Sequence, residues 1–507
     1  MNISHWIENW ALANPEKIAL HFEGEDISYR DFDARIKANA RALTNELGVE
    51  AGDRVAYLGQ NHPQSLVLFF ACARLGAIFV PLNWRLAPPE HRHILKDSGA
   101  RALIVDEPYR EQCEPLSAEL ENCTFIALHG DAGGGWLLLP DLIENGKGDV
   151  PPPHAGGESP LLLIYTSGTT GFPKGAVLTH DSVQYNAYNS IVMHDMTSHD
   201  VVLTVLPLFH VGGLNNQTTP AFYAGATVIL HRVFNPARML DDLLRKKPTL
   251  TIILPAHMQP LRELPGWDAS DFSSLRSVLT GSTSIPDEMI RYWHGKGIPL
   301  VQVYGSSETC PIAIHQTADN ALLTEGTIGF PAMHCEIRIV NEQGVDCWAD
   351  QPGEIYVRGN NVMSHYWHNE KATRESLTGG WFHTGDIGYF DHRGCYHFLD
   401  RKKDVIISGS ENIYPAEIEN VLTGHPDILE VAVVGRKDPR WGEAVVAVIV
   451  KKGNSQLEEA QVREWLDGKL GRYKHPRSVL FVDALPRNEM RKVQKHVLRD
   501  LVNQTRL

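Results

Sequence analysis

Short apolar runs that stop abruptly at glycine, proline or hydroxyl residues recur along most of this chain, separated by segments with helical spacing. This alternation restricts the fold more than any other feature. Residues 52–58, 77–82, 161–164, 201–206, 226–230, 250–254, 277–280 and 300–303 are such runs. Runs of this length, rich in aliphatic residues and bounded by breakers, read as buried strands; strands alternating with helices read as a parallel α/β sheet. At 507 residues the chain exceeds what one core supports, so two or more domains are expected. Open α/β sheets hold ligands beyond the carboxyl ends of their strands. The residues that follow each run are therefore the first place to look for chemistry.

The run 161–164 leads into Y-T-S-G-T-T-G-F-P-K-G-A-V-L-T-H at 165–180. Glycines, hydroxyls and one lysine within a few residues suit a loop folded around phosphate oxygens, because glycine lets backbone N–H groups approach an anion closely. The loop is not of the G-x-x-x-x-G-K-[ST] type: Pro173 stands where the second glycine should, and Gly175 follows Lys174. After the run 300–303 comes Tyr304-Gly305-Ser306-Ser307-Glu308-Thr309, with a flat ring for a base, several donors and a hard carboxylate suited to Mg²⁺. Trp381-Phe382-His383-Thr384-Gly385-Asp386 places a carboxylate after a turn, where it can accept two ribose hydroxyls. Residues 209–213 carry a lone histidine, His210, and residues 486–495 several cations. Singly, each cluster is also what an ordinary turn, a loop histidine or a solvated charged face would carry.

Between 326 and 398 the texture changes to short alternating strands with glycine turns, as in a small β-barrel or β-sheet subdomain. The charge run 400–404 then marks a boundary, giving an N-terminal domain over 1–400 and a C-terminal domain over 401–507. The latter reads as a compact α+β unit, with helices near 415–422, 457–470 and 496–502 and strands near 428–435, 444–450 and 478–482. The net charge is −14, yet residues 401–507 hold 19 basic and 15 acidic side chains, so a basic C-terminal domain faces an acidic body. That asymmetry favours a polyanionic ligand. Nucleic acid is disfavoured by the lack of a long basic run interleaved with aromatics. The longest apolar stretch, 66–80, is interrupted by Arg74 and closed by Pro81, so it reads as a core helix entering a strand and not as a membrane span. The N-terminus lacks the pattern of a signal peptide, and seven cysteines without a C-x-x-C pair suit reduced thiols in a cytoplasmic protein.

Y-T-S-G-T-T-G-F-P-K-G, Y-G-S-S-E-T, H-T-G-D, D-R-K-K-D-V-I-I-S-G-S-E-N-I-Y-P-A-E-I-E and P-R-N-E-M-R-K-V-Q-K occur in this order along the chain. Together they resemble the adenylate-forming superfamily, which includes AMP-dependent acyl-CoA synthetases, nonribosomal peptide adenylation domains and beetle luciferases. The resemblance covers essentially the whole chain. It implies a large N-terminal domain of two α/β subdomains and a small β-barrel subdomain, followed by a small mobile α+β domain. It further implies that a carboxylic acid and ATP give an acyl-adenylate and pyrophosphate, and that the acyl group then passes to coenzyme A.

Residue by residue, Thr166, Ser167, Gly168, Thr169, Thr170 and Lys174 match the phosphate loop, and Glu308 the Mg²⁺ ligand. Gly281, Ser282, Thr283 and Tyr304 resemble the adenine pocket, with Gly305 and Ser307 beside them; Asp386 and Arg401 match the ribose positions. Lys492 matches the lysine bridging carboxylate and phosphate, although many relatives carry glycine where this chain has Arg491. His210 is the further catalytic candidate. Lys403 corresponds to the hinge about which the C-terminal domain turns, bringing Gly409 to the pantetheine tunnel. Trp441, Arg472, Lys474 and Arg477 are candidates for the CoA nucleotide.

The acyl pocket is expected from segments 210–218, 256–261, 280–285 and 305–312, which supply Val211, Gly212, Gly213, Leu214, Met258, Ile285, Pro311 and Ile312. An apolar lining without a fixed cation disfavours a second carboxylate on the substrate. A medium- or long-chain fatty acid is the leading expectation, and an aryl or phenylpropenoic acid (benzoate, coumarate or ferulate type) the alternative. A carrier-protein-loading adenylation enzyme is a further reading. The expected partners are the small carboxylic acid, ATP and CoA, with no nucleic acid, no integral membrane association, and a homodimer left open.

Overall fold

The computed structural model describes residues 1–507 except 132, 167–172, 282–284, 286, 409–410, 489–491 and 506–507. Among the described residues the body is built on two large, mostly parallel sheets and one smaller antiparallel sheet. In the first, Ile18–Phe22, Thr227–Leu230, Val201–Thr204, Leu250–Ile252, Ser277–Gly281 and Leu300–Tyr304 run parallel in that spatial order. In the second, Pro160–Thr166, Ile78–Leu82, Arg54–Leu58, Ala102–Val105 and Thr124–Ala127 do the same.

The expected α/β alternation is therefore present, with one departure at its most informative point. Lys174–Thr179 returns antiparallel to Pro160–Thr166, because the short connection between them cannot span the dozen or more residues that a parallel crossover needs. The two strands form a ribbon in which Thr166 is paired to Lys174.

One continuous core joins the two sheets. Helix Tyr29–Asn45 starts where expected: the Ser28 hydroxyl accepts from Asp31 N, and Phe32, Ile36 and Ala40 are buried. Helix Pro63–Leu75 is buried almost all round and ends at Gly76, whose φ of 72° suits glycine at a C-cap. Phe69, Phe70, Phe79 and Phe222 pack edge to face in this core, each worth roughly 2–3 kcal/mol of burial. Arg74, the charge that argued against a membrane span, is buried with its Nε donating to Pro151 O at 2.7 Å. No helix among the described residues is long and apolar enough to cross a membrane.

The β-rich segment forms a five-stranded sheet including Cys335–Val340, Gly353–Gly359, Trp381–Phe390 and Tyr396–Arg401. Its last pair sets Asp386 directly opposite Arg401. Beyond Arg401, the long hairpin Ile428–Asp438 and Gly442–Lys451 belongs to a second five-stranded sheet, with Ile428–Asp438 at its edge and Gly442–Lys451 inside it. Both of its faces are covered. Val433, Val445, Ala447 and Ile449 meet Ile418, Leu422, Val462 and Leu466, whereas Ala432, Val434, Val446 and Val448 meet Leu498 and Val502. Burial on both faces explains why these strands read as continuous apolar runs. The small hairpin Ile406–Ser408 and Glu411–Ile413, unforeseen in the sequence, extends this sheet at its edge.

Candidate active site

The carboxyl ends of the body strands and the β-subdomain meet at Asp386. This side chain is 4% exposed, and the Tyr304 hydroxyl donates to its Oδ2 at 2.7 Å. The Arg401 Nε lies 2.8 Å from Oδ1, delivered by the cross-strand register, yet out of hydrogen-bond alignment, so Oδ1 has no hydrogen-bond partner among the described residues. Burial pushes the Asp386 carboxyl up, against the pull of Arg401 and of the Tyr304 hydroxyl. A buried carboxylate with one oxygen open to an incoming donor is suited to sugar hydroxyls. Gly385, at φ 68°, makes the turn, and Glu354 ties it down by accepting from Gly385 N at 3.1 Å and from Lys402 Nζ at 2.8 Å.

Two glycines let the neighbouring strands approach closely. A Cβ on Gly281 would lie 2.4 Å from Val303 O, and one on Gly305 would lie 1.5 Å from Pro311 O. Ser307 is buried in the short turn Ser307–Thr309, which also carries Glu308. Glu308 Oε1 accepts from the Tyr366 hydroxyl at 2.8 Å, and Lys174 Nζ stands 5.5 Å over the Tyr366 ring. Tyr366, which no motif flagged, thus joins the cation of the ribbon to the carboxylate expected to hold Mg²⁺. Mg²⁺ is commonly held by one or two carboxylates together with substrate phosphates, and a single half-buried carboxylate whose second oxygen has no hydrogen bond among the described residues fits that demand. Ser167, Gly168, Thr169 and Thr170 of the phosphate-loop motif, and Ser282 and Thr283 of the adenine segment, lie outside the described residues.

Lys492, from the C-terminal domain, reaches into the same cleft. Its surroundings and the Arg401 charge hold its ammonium below the usual lysine value, opposed by Asp386 and Glu308. The Arg487 to Val493 bridge, with Asn488 N donating to Lys492 O and Lys492 N donating to Asn488 Oδ1, each at 2.9 Å, braces the segment that carries it. On the opposite wall His210 caps a helical turn: Nδ1 accepts from Gly212 N at 3.0 Å, which leaves the proton on Nε2. Burial and the nearby Lys492 charge push this imidazole down to about 4, so it is neutral near pH 7. Val211, Leu214, Met258, Ile285 and Ile312, expected to line the acyl pocket, are all buried.

The remaining C-terminal candidates separate. Trp441 has two guanidinium groups over its ring, Arg477 at 4.3 Å and Arg440 at 4.9 Å from the centroid. Lys474 is committed to Glu417 at 2.6 Å, which removes it as a free cation; Arg472 lies 3.9 Å from Asp467. Lys403 is exposed, and its carbonyl accepts from Arg499 at 3.1 Å. One residue before Arg401, Asp400 pairs by its backbone with Ile387, while its carboxylate accepts from Ala416 N at 2.9 Å and lies 3.9 Å from Lys495. Lys495 in turn is 2.8 Å from Glu419. Gly409 lies outside the described residues.

Comparison with known proteins shows the family. Residues 7–367 match the family model described as AMP-binding enzyme, and residues 417–492 match the AMP-binding enzyme C-terminal domain. An indoleacetate–CoA ligase of Aromatoleum aromaticum is 47% identical over 504 residues, covering 99% of this chain and 98% of that one. A feruloyl-CoA synthase of an Amycolatopsis species is 38% identical, covering 98% of each. The o-succinylbenzoate CoA synthetase of Bacillus subtilis, solved with its acyl-adenylate intermediate, superposes with a TM-score of 0.87 at 31% identity, over 99% of this chain and 98% of that one.

Proposed function

The chain belongs to the AMP-binding enzyme family and is an ATP-dependent, adenylate-forming acid–thiol ligase of the CoA-ligase type; from that premise we propose that its substrate is an aryl acid of the indole-3-acetate kind. The observation that carries this reading is the likeness to an indoleacetate–CoA ligase along nearly the whole of both chains. The feruloyl-CoA synthase, whose acid is also aromatic, points the same way, and the medium- or long-chain fatty acid expected from the sequence becomes the second choice.

In this reading the acid lies between His210 and the apolar wall, with its carboxylate towards Lys492. Asp386 accepts the ribose hydroxyls, Tyr304 and Gly281 border the base, and Lys174 takes the pyrophosphate end. Bound Mg²⁺, held at Glu308, would neutralise phosphate charge. Lys492 stands between two anions that must meet, lowering their repulsion as the carboxylate attacks the α-phosphorus. Neutral His210, its proton on Nε2, can donate to the carboxylate or to the developing oxyanion without adding a positive charge beside Lys492. Thioester formation then requires the C-terminal domain to turn about Lys403, removing Lys492 and bringing Trp441 and Arg477 to the CoA nucleotide.

ATP- and CoA-dependent AMP release across indole-3-acetate, phenylacetate, ferulate, octanoate and palmitate tests the substrate. Indole-3-acetate should give the highest kcat/KM; a preference for the aliphatic acids would overturn the aryl reading. Lys403→Pro tests the rotation: acyl-adenylate formation should persist while thioester formation drops roughly 10-fold or more. Equal CoA turnover in the variant would rule the hinge out.

A further inference from the structure

One residue outside every motif reaches both strands of the ribbon. Helix Pro88–Ser98 ends at Gly99, and Arg54 fixes that end by donating from Nε to Ser98 O and from a terminal nitrogen to Gly99 O, each at 2.6 Å. Asp97 projects from this last turn. Its Oδ2 accepts from the Tyr165 hydroxyl at 2.6 Å, and its carbonyl accepts from Trp367 Nε1 at 3.1 Å. Trp367 N in turn donates to Gly175 O at 2.7 Å. Tyr165 and Gly175 are cross-strand partners in the ribbon, so Asp97 holds the outgoing strand by its side chain and the returning strand through Trp367.

The ring of Tyr165 lies across Gly175: a Cβ there would stand 3.2 Å from Tyr165 Cζ and 3.3 Å from Trp367 Cβ. Successive side chains of a strand point to opposite faces, so Lys174 is turned the other way. Its Nζ stands 5.5 Å over the Tyr366 ring, and the Tyr366 hydroxyl donates to Glu308 Oε1 at 2.8 Å. Tyr366 is bonded to Trp367 along the chain and pairs with Ala176 across the sheet. Whatever displaces Trp367 or the Tyr165–Gly175 pair therefore displaces Lys174 and Tyr366, and with Tyr366 the partner of Glu308. Packing alone does not prevent this, because a hollow of about 280 Å³ bordered by His93, Asp97, Trp367 and His368 lies directly against residues 173–175.

We propose that Asp97 is a positioning residue for the pyrophosphate end of ATP: it touches no substrate, and it sets the places of Lys174 and Glu308 by fixing Tyr165 and Trp367. The proposal rests on the reading above, in which Lys174 takes the pyrophosphate end and Glu308 holds Mg²⁺. Burial and the Asp97 carboxylate both push the Tyr165 hydroxyl up, so it stays protonated and donates. A hydrogen bond to a charged acceptor is stronger than one between neutral groups. Alignment at a reacting centre is sensitive to such support: a misplacement of about 1 Å from a change remote from the chemistry can cost about 100-fold. The acyl-adenylate has lost the β- and γ-phosphates, so the second half-reaction does not call on this arrangement.

The test separates the two half-reactions. In Tyr165→Phe and in Asp97→Ala the KM for ATP, and the KM for pyrophosphate in the exchange reaction, should each rise roughly 10-fold, while thioester formation from preformed acyl-adenylate stays within about twofold of wild type. The double variant should be no worse than either single one, as two ends of one bond require. Asp97→Asn, which keeps an acceptor at that place, should recover most of the loss. Unchanged KM values in Tyr165→Phe overturn the proposal, and so does an equal loss in thioester formation, which would mark a merely structural role. Lys174→Ala tests the reading beneath it. If that variant leaves both KM values unchanged, the pyrophosphate assignment fails and the proposal with it; if it raises them while Tyr165→Phe does not, the proposal alone fails. Should Asp97→Ala not fold, Tyr165→Phe, which loses a single oxygen, decides by itself.

Discussion

The nucleotide end and the acyl end of the cleft are built on opposite principles. At the nucleotide end the protein's polar groups hold one another: Tyr304 to Asp386, Arg401 beside Asp386, Tyr366 to Glu308, and Glu354 to both Gly385 and Lys402. At the acyl end the residues expected to line the wall, Val211, Leu214, Met258, Ile285 and Ile312, are buried apolar side chains. The first holds charges and hydrogen bonds in place, with Asp386 Oδ1 left without a hydrogen-bond partner among the described residues; the second offers shape. Damage to the nucleotide end should therefore lower activity towards every acid alike. Damage to the acyl end should reorder the acids.

The largest effect is expected from Lys492→Ala, roughly 10²–10³-fold on acyl-adenylate formation for every acid, by analogy with loss of a charge-stabilising group at a reacting centre. Pyrophosphate exchange measures it, and thioester formation from preformed adenylate should be spared. Loss in both half-reactions alike would break the assignment. Asp386→Asn should follow at roughly 10- to 100-fold, mostly in the KM for ATP and equally for all acids, because charge-assisted bonds to ribose hydroxyls become neutral ones. A change in the ranking of acids would blur the division between the two ends.

Gly212→Ala probes the reacting centre between the two ends. A methyl 2.8 Å from His210 Nδ1 cannot be accommodated without displacing the imidazole, so kcat/KM should fall about 10-fold for every acid. An unchanged kcat/KM would count against the part assigned to His210.

The smallest effect concerns pH. His210 is held down to about 4, against 6.5 for the free group, and the half-buried His62 and the buried His180 are held there too. Between these values the unfolded chain binds protons that the folded chain refuses, so stability should decline as pH falls from 6.5 towards 4. Urea unfolding at pH 7 and pH 5 checks this. Adenylation should show no inflection near 6.5 from His210; one there would mean that the imidazole is not held neutral by its site.

The same division explains what could be read from the chain alone. Asp386, Arg401, Glu308, Tyr304 and Lys492 sit in compact motifs because phosphate, ribose and metal demand specific residue types at strand ends, and those demands leave a dense local signature. The helix start at Ser28 and the apolar strands were legible for a similar reason, since capping and burial act over a few residues. Tyr366 and Glu354 escaped because their partners are distant in sequence and nothing local marks either side chain. The antiparallel return at Lys174–Thr179 escaped because apolar patterning sets which residues are buried and not the direction of a strand. Lys474 looked free because its partner, Glu417, lies on another element.

Asp400 carries a consequence of another kind. Its backbone is paired with Ile387 of the body, while its carboxylate is gripped by Ala416 N and Lys495 of the C-terminal unit. It works as a latch thrown across the seam. A C-terminal unit that swings about Lys403 must first release that latch or carry the end of the strand with it. The cadence of the catalytic cycle would then be governed in part by a carboxylate that never meets a substrate.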